Sequence, residues 1–464
     1  MIRTRQVSSR EVVEAHIRRI EAVNGRLNAV VRDRFAEARR EADEADARVR
    51  SAPAESLPPL LGVPCTIKES FALRGMPQTA GLVARRGVVA DKDAPTVERL
   101  RRAGAIPVGV TNLSELCMWM ESNNRVYGRT RNPYDPRRIV GGSSGGEGAI
   151  IGAGGVPFGL GADIGGSIRL PAFFCGVFGH KPSGGLVPNT GQFPIASGPA
   201  LRYLTTGPLC RRAEDLWPLL RLLAGPDGQD SACQDIALGE PSSVHIHELD
   251  VISIESNGIR PPSAELLAAQ RRCAEALAAA GARVRLVTLP LLRLSRDIWS
   301  AMLEASGGPT FRELLFQGRH VSLPRELVRW ALRRSPHTLP ALALTLLERA
   351  PELMPQRRRA ALEAGQLLRR QLTALLGPQS VLLYPSYPTV APRHLRPLWP
   401  PFNWVYTAIV NVMELPATQV PLGLGPSSLP LGVQVVAAWG NDHLCIAVAQ
   451  FLERTFGGWV PPQL

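Results

Sequence analysis

Behind a capping box at Ser8-Ser9-Arg10-Glu11, apolar residues recur at helical spacing as Val12, Val13, Ile17, Ile20 and Val23. The pattern predicts a helix over about 8–24 and a second over about 33–49, with a linker from Ser51 to Pro59. The period then drops to two. Val63, Cys65 and Ile67 alternate with Thr66 and Lys68, which predicts a strand from Leu61 to Lys68. Asp93-Ala94-Pro95 opens a helix that runs through Arg102 and closes at Gly104, and Ala105 to Val110 reads as a buried strand. Strand, helix, strand is the unit of an α/β sheet. A helix and a strand recur between Pro262 and Leu289, the strand alternating Val284, Leu286 and Thr288. Leu431 to Ala438 predicts another strand, before a helix capped by Asn441 or Asp442. His245 and His247 alternate on a predicted strand that follows a polar, turn-rich connection from Gly225 to Ser243. No internal repeat occurs, and no segment separates as an independent domain.

The segment from Val140 to Pro171 follows neither period. Gly141-Gly142-Ser143-Ser144-Gly145-Gly146 precedes a helical run from Glu147 to Ala153, and a strand follows over about 156–161. Asp163-Ile164-Gly165-Gly166-Ser167 then leads into a helical turn ended by Pro171. Glycine at both loops permits unusual backbone angles and close approach to a ligand. A phosphate-binding loop would need a lysine that neither loop has, and Gly159-Leu160-Gly161 lacks the third glycine of a dinucleotide fingerprint. A nucleophile elbow, G-x-S-x-G, matches at Gly141–Gly145 and at Gly142–Gly146, but glycine runs produce that match by chance. Tight turns packing helix on sheet are the plain alternative.

A base changes the weighing. Lys68, Lys92 and Lys181 are the only lysines in a chain whose other cations are arginines. Arginine cannot deprotonate, so a lysine that survives such a bias is a candidate amine base. Lys68 ends a buried strand, where burial disfavours its ammonium form. Serine–lysine pairs can replace serine–histidine ones. Ser167 stands at a predicted helix start, where the amides of Ile164, Gly165 and Gly166 and its own form an expected oxyanion hole.

GGSSGGEG, GADIGGSIRLPA and the lysine of GVPCTIKES together resemble the catalytic segments of the amidase signature family. The resemblance covers essentially the whole chain. It implies one domain over residues 1–464: a mixed central β-sheet covered on both faces by helices, with a catalytic core at about 60–215. It also implies Ser167 as nucleophile, Ser143 (whose family counterpart adjoins a cis peptide) as proton shuttle and Lys68 as terminal base. Ser144, Asp163 and Arg169 match supporting positions, Ser144 with a part in substrate binding, and Cys117 falls where substrate-lining backbone lies. Further segments, including SELCMWMESNNRVYGRTRNPYDP and LYPSYPTVAP, resemble the branch of the family that acts on fatty-acid amides. The implied substrates are primary amides and N-acylethanolamines, with no cofactor or metal and no set oligomeric state. That branch's hydrophobic N-terminal membrane segment has no counterpart here, so a missing N-terminal element is expected; 225–259 fits poorly.

The formal net charge of +13 suggests an anionic partner, namely nucleic acid, a membrane surface or an acidic substrate. Interleaved aromatics of a nucleic-acid groove are lacking, so no nucleic-acid partner is expected and most arginines read as solvated surface. Seven scattered cysteines without a CxxC suit a reducing compartment. No run of about 18 apolar residues exists. Arg325 to Arg334, however, puts Leu327, Val328, Ala331 and Leu332 on one face and Arg325, Arg329 and Arg333 elsewhere, with Trp330 at the edge. Leu339 to Leu347 is almost wholly apolar. The two read as an interfacial hairpin over 325–347, in the position of the family's membrane cap, against the alternative of an ordinary helix pair packed on the core. The expectation is an intracellular enzyme held peripherally on a membrane or lipid-droplet surface. An amidase for small or amino-acid amides is the second reading. An inactive scaffold or a basic nucleic-acid-binding protein is a third, disfavoured by the intact Lys68, Ser143 and Ser167.

Overall fold

The computed structural model describes residues 1–348 and 354–464. Its strands are β1 (Val30–Asp33), β2 (Pro64–Lys68), β3 (Ile106–Thr111), the short pair β4 (Asn123–Asn124) and β5 (Gly128–Arg129), β6 (Phe158–Asp163) and β7 (Phe178–Lys181). There follow β8 (Thr205–Cys210), β9 (Asp250–Ser253), β10 (Arg283–Leu286), β11 (Ser380–Tyr384), β12 (Ala417–Leu424) and β13 (Pro430–Ala437). All except β4 and β5 join one mixed sheet in the order β1-β3-β2-β6-β8-β7-β12-β13-β11-β9-β10. β2 runs parallel to both neighbours, with Lys68 opposite Thr111 and Ile67 opposite Leu160. Strands β6, β8, β7, β12, β13 and β11 pair antiparallel in turn. The inner strands are covered on both faces, so they are buried along their length rather than alternating.

The capping box forms: Ser8 Oγ accepts from the Glu11 amide, and Glu11 accepts from the Ser8 amide. It starts α1 (Ser9–Leu27), which buries Val13, Ile17, Ile20, Val23 and Leu27 and closes at left-handed Asn28, three residues beyond the predicted end. α2 (Phe35–Ser51) and α3 (Pro95–Arg102, with proline in the first turn) also form. The periodicity missed β1, an edge strand of four residues, too short to show a period. α4 (Gly145–Gly152) is buried on every side. A Cβ on Gly146 would lie 2.5 Å from the Asn112 backbone, which is why glycine forms this poor helix former's run. α5 (Arg169–Phe174) passes through Pro171 instead of ending there, because a first-turn residue has no intrahelical acceptor for its N–H.

His245 and His247 are not on a strand. His245 precedes a single helical turn, Ile246–Glu248, and His247 lies within it; their alternation reflects half-buried Val244 and Ile246 packing on the core, and β9 begins after them. Cysteines 65, 117, 175, 210, 233, 273 and 445 are all free thiols.

The predicted hairpin is two short helices, Leu323–Ala331 and Leu339–Leu347. Its inner face is core: Leu323, Ala341 and Leu342 pack with Ala80, Leu82, Leu116, Phe311 and Leu315. Its outer face exposes Val328, Leu332 and Leu346, each more than half open to solvent. Leu327 and Trp330 lie half-buried between the two. No described helix is long and apolar enough to cross a membrane.

Candidate active site

Parallel β2, β3 and β6 bring their C-terminal ends together, and the chemistry gathers there. Lys68 closes β2 with 1% exposure, and its Nζ donates to Ser143 Oγ at 2.7 Å. Burial pushes the ammonium form down, against the pull of Cys117, Asp163 and Glu147, so the site favours a neutral amine. Ser143 follows a cis peptide bond from Gly142. Its loop is held by Ser122, whose hydroxyl bridges the carbonyls of Gly141 and Ser143 and accepts from the Gly145 amide at 3.0 Å.

The second loop leaves β6 at Asp163. Ser144 joins the two loops: its amide donates to the Ser167 carbonyl at 3.2 Å, and its hydroxyl meets the backbone of Ala162. Fully buried, Ser144 ties the two loops together. Ser167 keeps 8% exposure, the most open of the three catalytic candidates.

Asp163 and Arg169 form a buried ion pair, Arg169 Nη2 to Asp163 Oδ1 at 3.0 Å. Burial raises the cost of the Asp163 charge, but the guanidinium and four amide donors outweigh it and hold the carboxyl well below the usual range. Asn411 and Gln434 accept two more guanidinium hydrogens at 2.6 and 2.8 Å. Nothing local in the sequence marked these two, since they come from a helix and a strand more than 200 residues away.

The loop's carbonyls are tied outward. Trp299 donates to the Ile164 carbonyl at 3.0 Å and Thr407 to that of Gly165 at 2.8 Å. Gly166 takes φ +120°, which glycine alone tolerates easily. Its amide is not free as expected: it donates to Asp163 Oδ1 at 2.7 Å. The amides of Ile164, Gly165 and Ser167 meet no acceptor among the described residues. Asp163 thus takes one of four expected oxyanion donors and in return shapes the turn that aims the rest.

Cys117 lies in a left-handed turn with Leu116. Glu115, two residues earlier, accepts from His337 Nδ1 and the Thr338 amide, both at 2.8 Å, which pins this turn to the second hairpin helix. A small cavity lined by Glu115, Glu121 and Asn123 as well as Met118, Trp119 and Leu344 opens between them.

This sheet carries a lysine, two serines and a glycine turn together, and the amidase family model matches residues 11–446. The chain belongs to the amidase signature family and is an amidase. It is 46% identical over 477 residues to fatty-acid amide hydrolase 2-A of Danio rerio, covering 99% of this chain and 88% of the relative. It is 45% identical to fatty-acid amide hydrolase 2 of Homo sapiens, over 100% and 88% of the two chains. A bacterial aryl acylamidase of the same family superposes with a TM-score of 0.81 at 25% identity, over 98% of this chain and 94% of that one.

Proposed function

We propose that the protein hydrolyses fatty-acid primary amides and N-acylethanolamines through an acyl-enzyme on Ser167, with Ser143 and Lys68 as its proton relay. The 2.7 Å contact between Lys68 Nζ and Ser143 Oγ, beside the Ser167 turn, carries the reading. Neutral Lys68 draws the Ser143 proton as Ser143 draws that of Ser167, whose Oγ attacks the amide carbonyl. The amides of Ile164, Gly165 and Ser167 hold the developing oxyanion. Ser143 then returns a proton to the leaving amine, and water attacks the ester by the same relay. No step asks for a metal or cofactor.

The acyl-chain assignment is supported by the likeness to fatty-acid amide hydrolases 2. Outward Val328, Leu332 and Leu346, with Arg325, Arg329 and Arg333 nearby, fit a hairpin that rests on an anionic lipid surface and admits substrate from it. Turnover of an acyl-length series of amides tests the substrate class. kcat/KM should rise with chain length; a maximum at acetyl or amino-acid amides would make the enzyme a small-amide amidase.

A further inference from the structure

The proposed mechanism makes no use of Glu147, yet the fold provides for it with care. It is the third residue of α4, four positions after Ser143, and its carboxyl is fully buried. Oε1 accepts from Thr111 Oγ1 at 2.8 Å and Oε2 from Thr66 Oγ1. Thr66 and Lys68 point to one face of β2, and Thr111 is the cross-strand partner of Lys68. The partner of Thr66 on β6 is Gly159, and any Cβ there would overlap Glu147 Oε2. A glycine and two threonines on three strands therefore frame one carboxyl, and one of those threonines is the cross-strand partner of the base.

Both hydrogen bonds to that carboxyl come from neutral hydroxyls, and no ion pair reaches it among the described residues. Burial pushes it up to about 8, the two threonines and the Lys68 charge pulling the other way. Lys68 is the charged group that acts on it. Lys68 also feels Cys117 and Asp163, both ahead of Glu147, although Asp163 is paired with Arg169; Cys65 on β2 is a thiol pushed far up by burial.

We propose that Glu147 is a positioning residue for the base: ionised, it holds Lys68 as ammonium, and protonated, it leaves the amine free to accept the Ser143 proton. The inference rests on the assignment of Lys68 as base. Because the two groups are coupled, the neutral amine appears at higher pH than it would beside a permanently neutral neighbour, and over a broader range than one group alone.

The test is the pH dependence of kcat/KM on a soluble amide and of the rate of Ser167 labelling by a fluorophosphonate. Glu147→Gln should move the rising acid limb down by about half to one pH unit, less than a direct ion pair would give, and sharpen it to a single proton. Thr111→Val keeps the carboxyl but removes one donor to its anion, so it should move the limb the same way by less, and it serves if Glu147→Gln does not fold. A limb that stays in place in both variants while activity merely falls would overturn the proposal. Lys68→Ala separates the two ideas: a residual activity with the wild-type limb intact would sink the base assignment itself, not only the role of Glu147.

Discussion

The catalytic loops and the cap hairpin are both runs that sequence periodicity handles badly, one rich in glycine and serine, the other in leucine and arginine. They end in opposite environments. Around Ser143 and Ser167 nearly every polar group is buried and bonded: Ser122 to two carbonyls, Asp163 to Arg169 and three backbone amides, Asn411 to the Asp163 and Tyr203 carbonyls. In the hairpin only the inner face is core, and the outer leucines meet solvent. Chemistry needs groups locked to within fractions of an ångström in low dielectric, whereas the proposed lipid-facing surface would need exposed apolar area and charge. Glu115 joins the regions, since one carboxylate holds both the Cys117 turn and the cap at His337 and Thr338.

Substitutions in the locked region should have the largest effects. Ser167→Ala should end fluorophosphonate labelling and lower amide turnover by about 10⁴-fold or more. Full labelling of that variant would move the nucleophile to Ser143. Lys68→Ala should cost about 10²–10⁴-fold in kcat/KM, with no rescue in Lys68→Arg, because a guanidinium does not accept the proton. Steady-state kinetics on the folded variants decides this.

Next comes the ion pair that shapes the glycine turn. Asp163→Asn leaves Arg169 buried without its counter-charge, and denaturant unfolding should show a loss of about 3–5 kcal/mol. The Asp163 carboxyl titrates well below its unfolded value. Its contribution to stability is therefore full above the unfolded pKa and fades as pH falls toward the folded one, and the variant should lose that part of the acid dependence.

The smallest effects separate the two faces of the hairpin. Leu342→Ala opens a cavity in a residue with 0% exposure and should cost about 2–5 kcal/mol by chemical denaturation. Changing Val328, Leu332 and Leu346 together to serine should leave stability within about 1 kcal/mol. That triple variant should float less with anionic liposomes and show a higher KM for long-chain amides, with turnover of a short soluble amide unchanged. Equal flotation of wild type and variant would make the outer face ordinary surface.

The amino-acid sequence alone determined the chemistry-bearing strings, because glycine, serine and a retained lysine carry their reasons locally: backbone freedom, a nucleophilic hydroxyl, an amine that can deprotonate. It also determined the strand ending at Lys68, the α3–β3 unit and the capped first helix, whose periods are long enough to read. It did not show β1, the course of α5 through Pro171, or the place of His245 and His247, where short segments and surface packing override pattern. Only the tertiary structure decided that Gly166 spends its amide on Asp163, that Asn411 and Gln434 complete the Arg169 shell, and that Leu342 faces inward while Leu346 faces out. Each of these depends on residues far apart in the chain meeting at one point, and no local period records such a meeting.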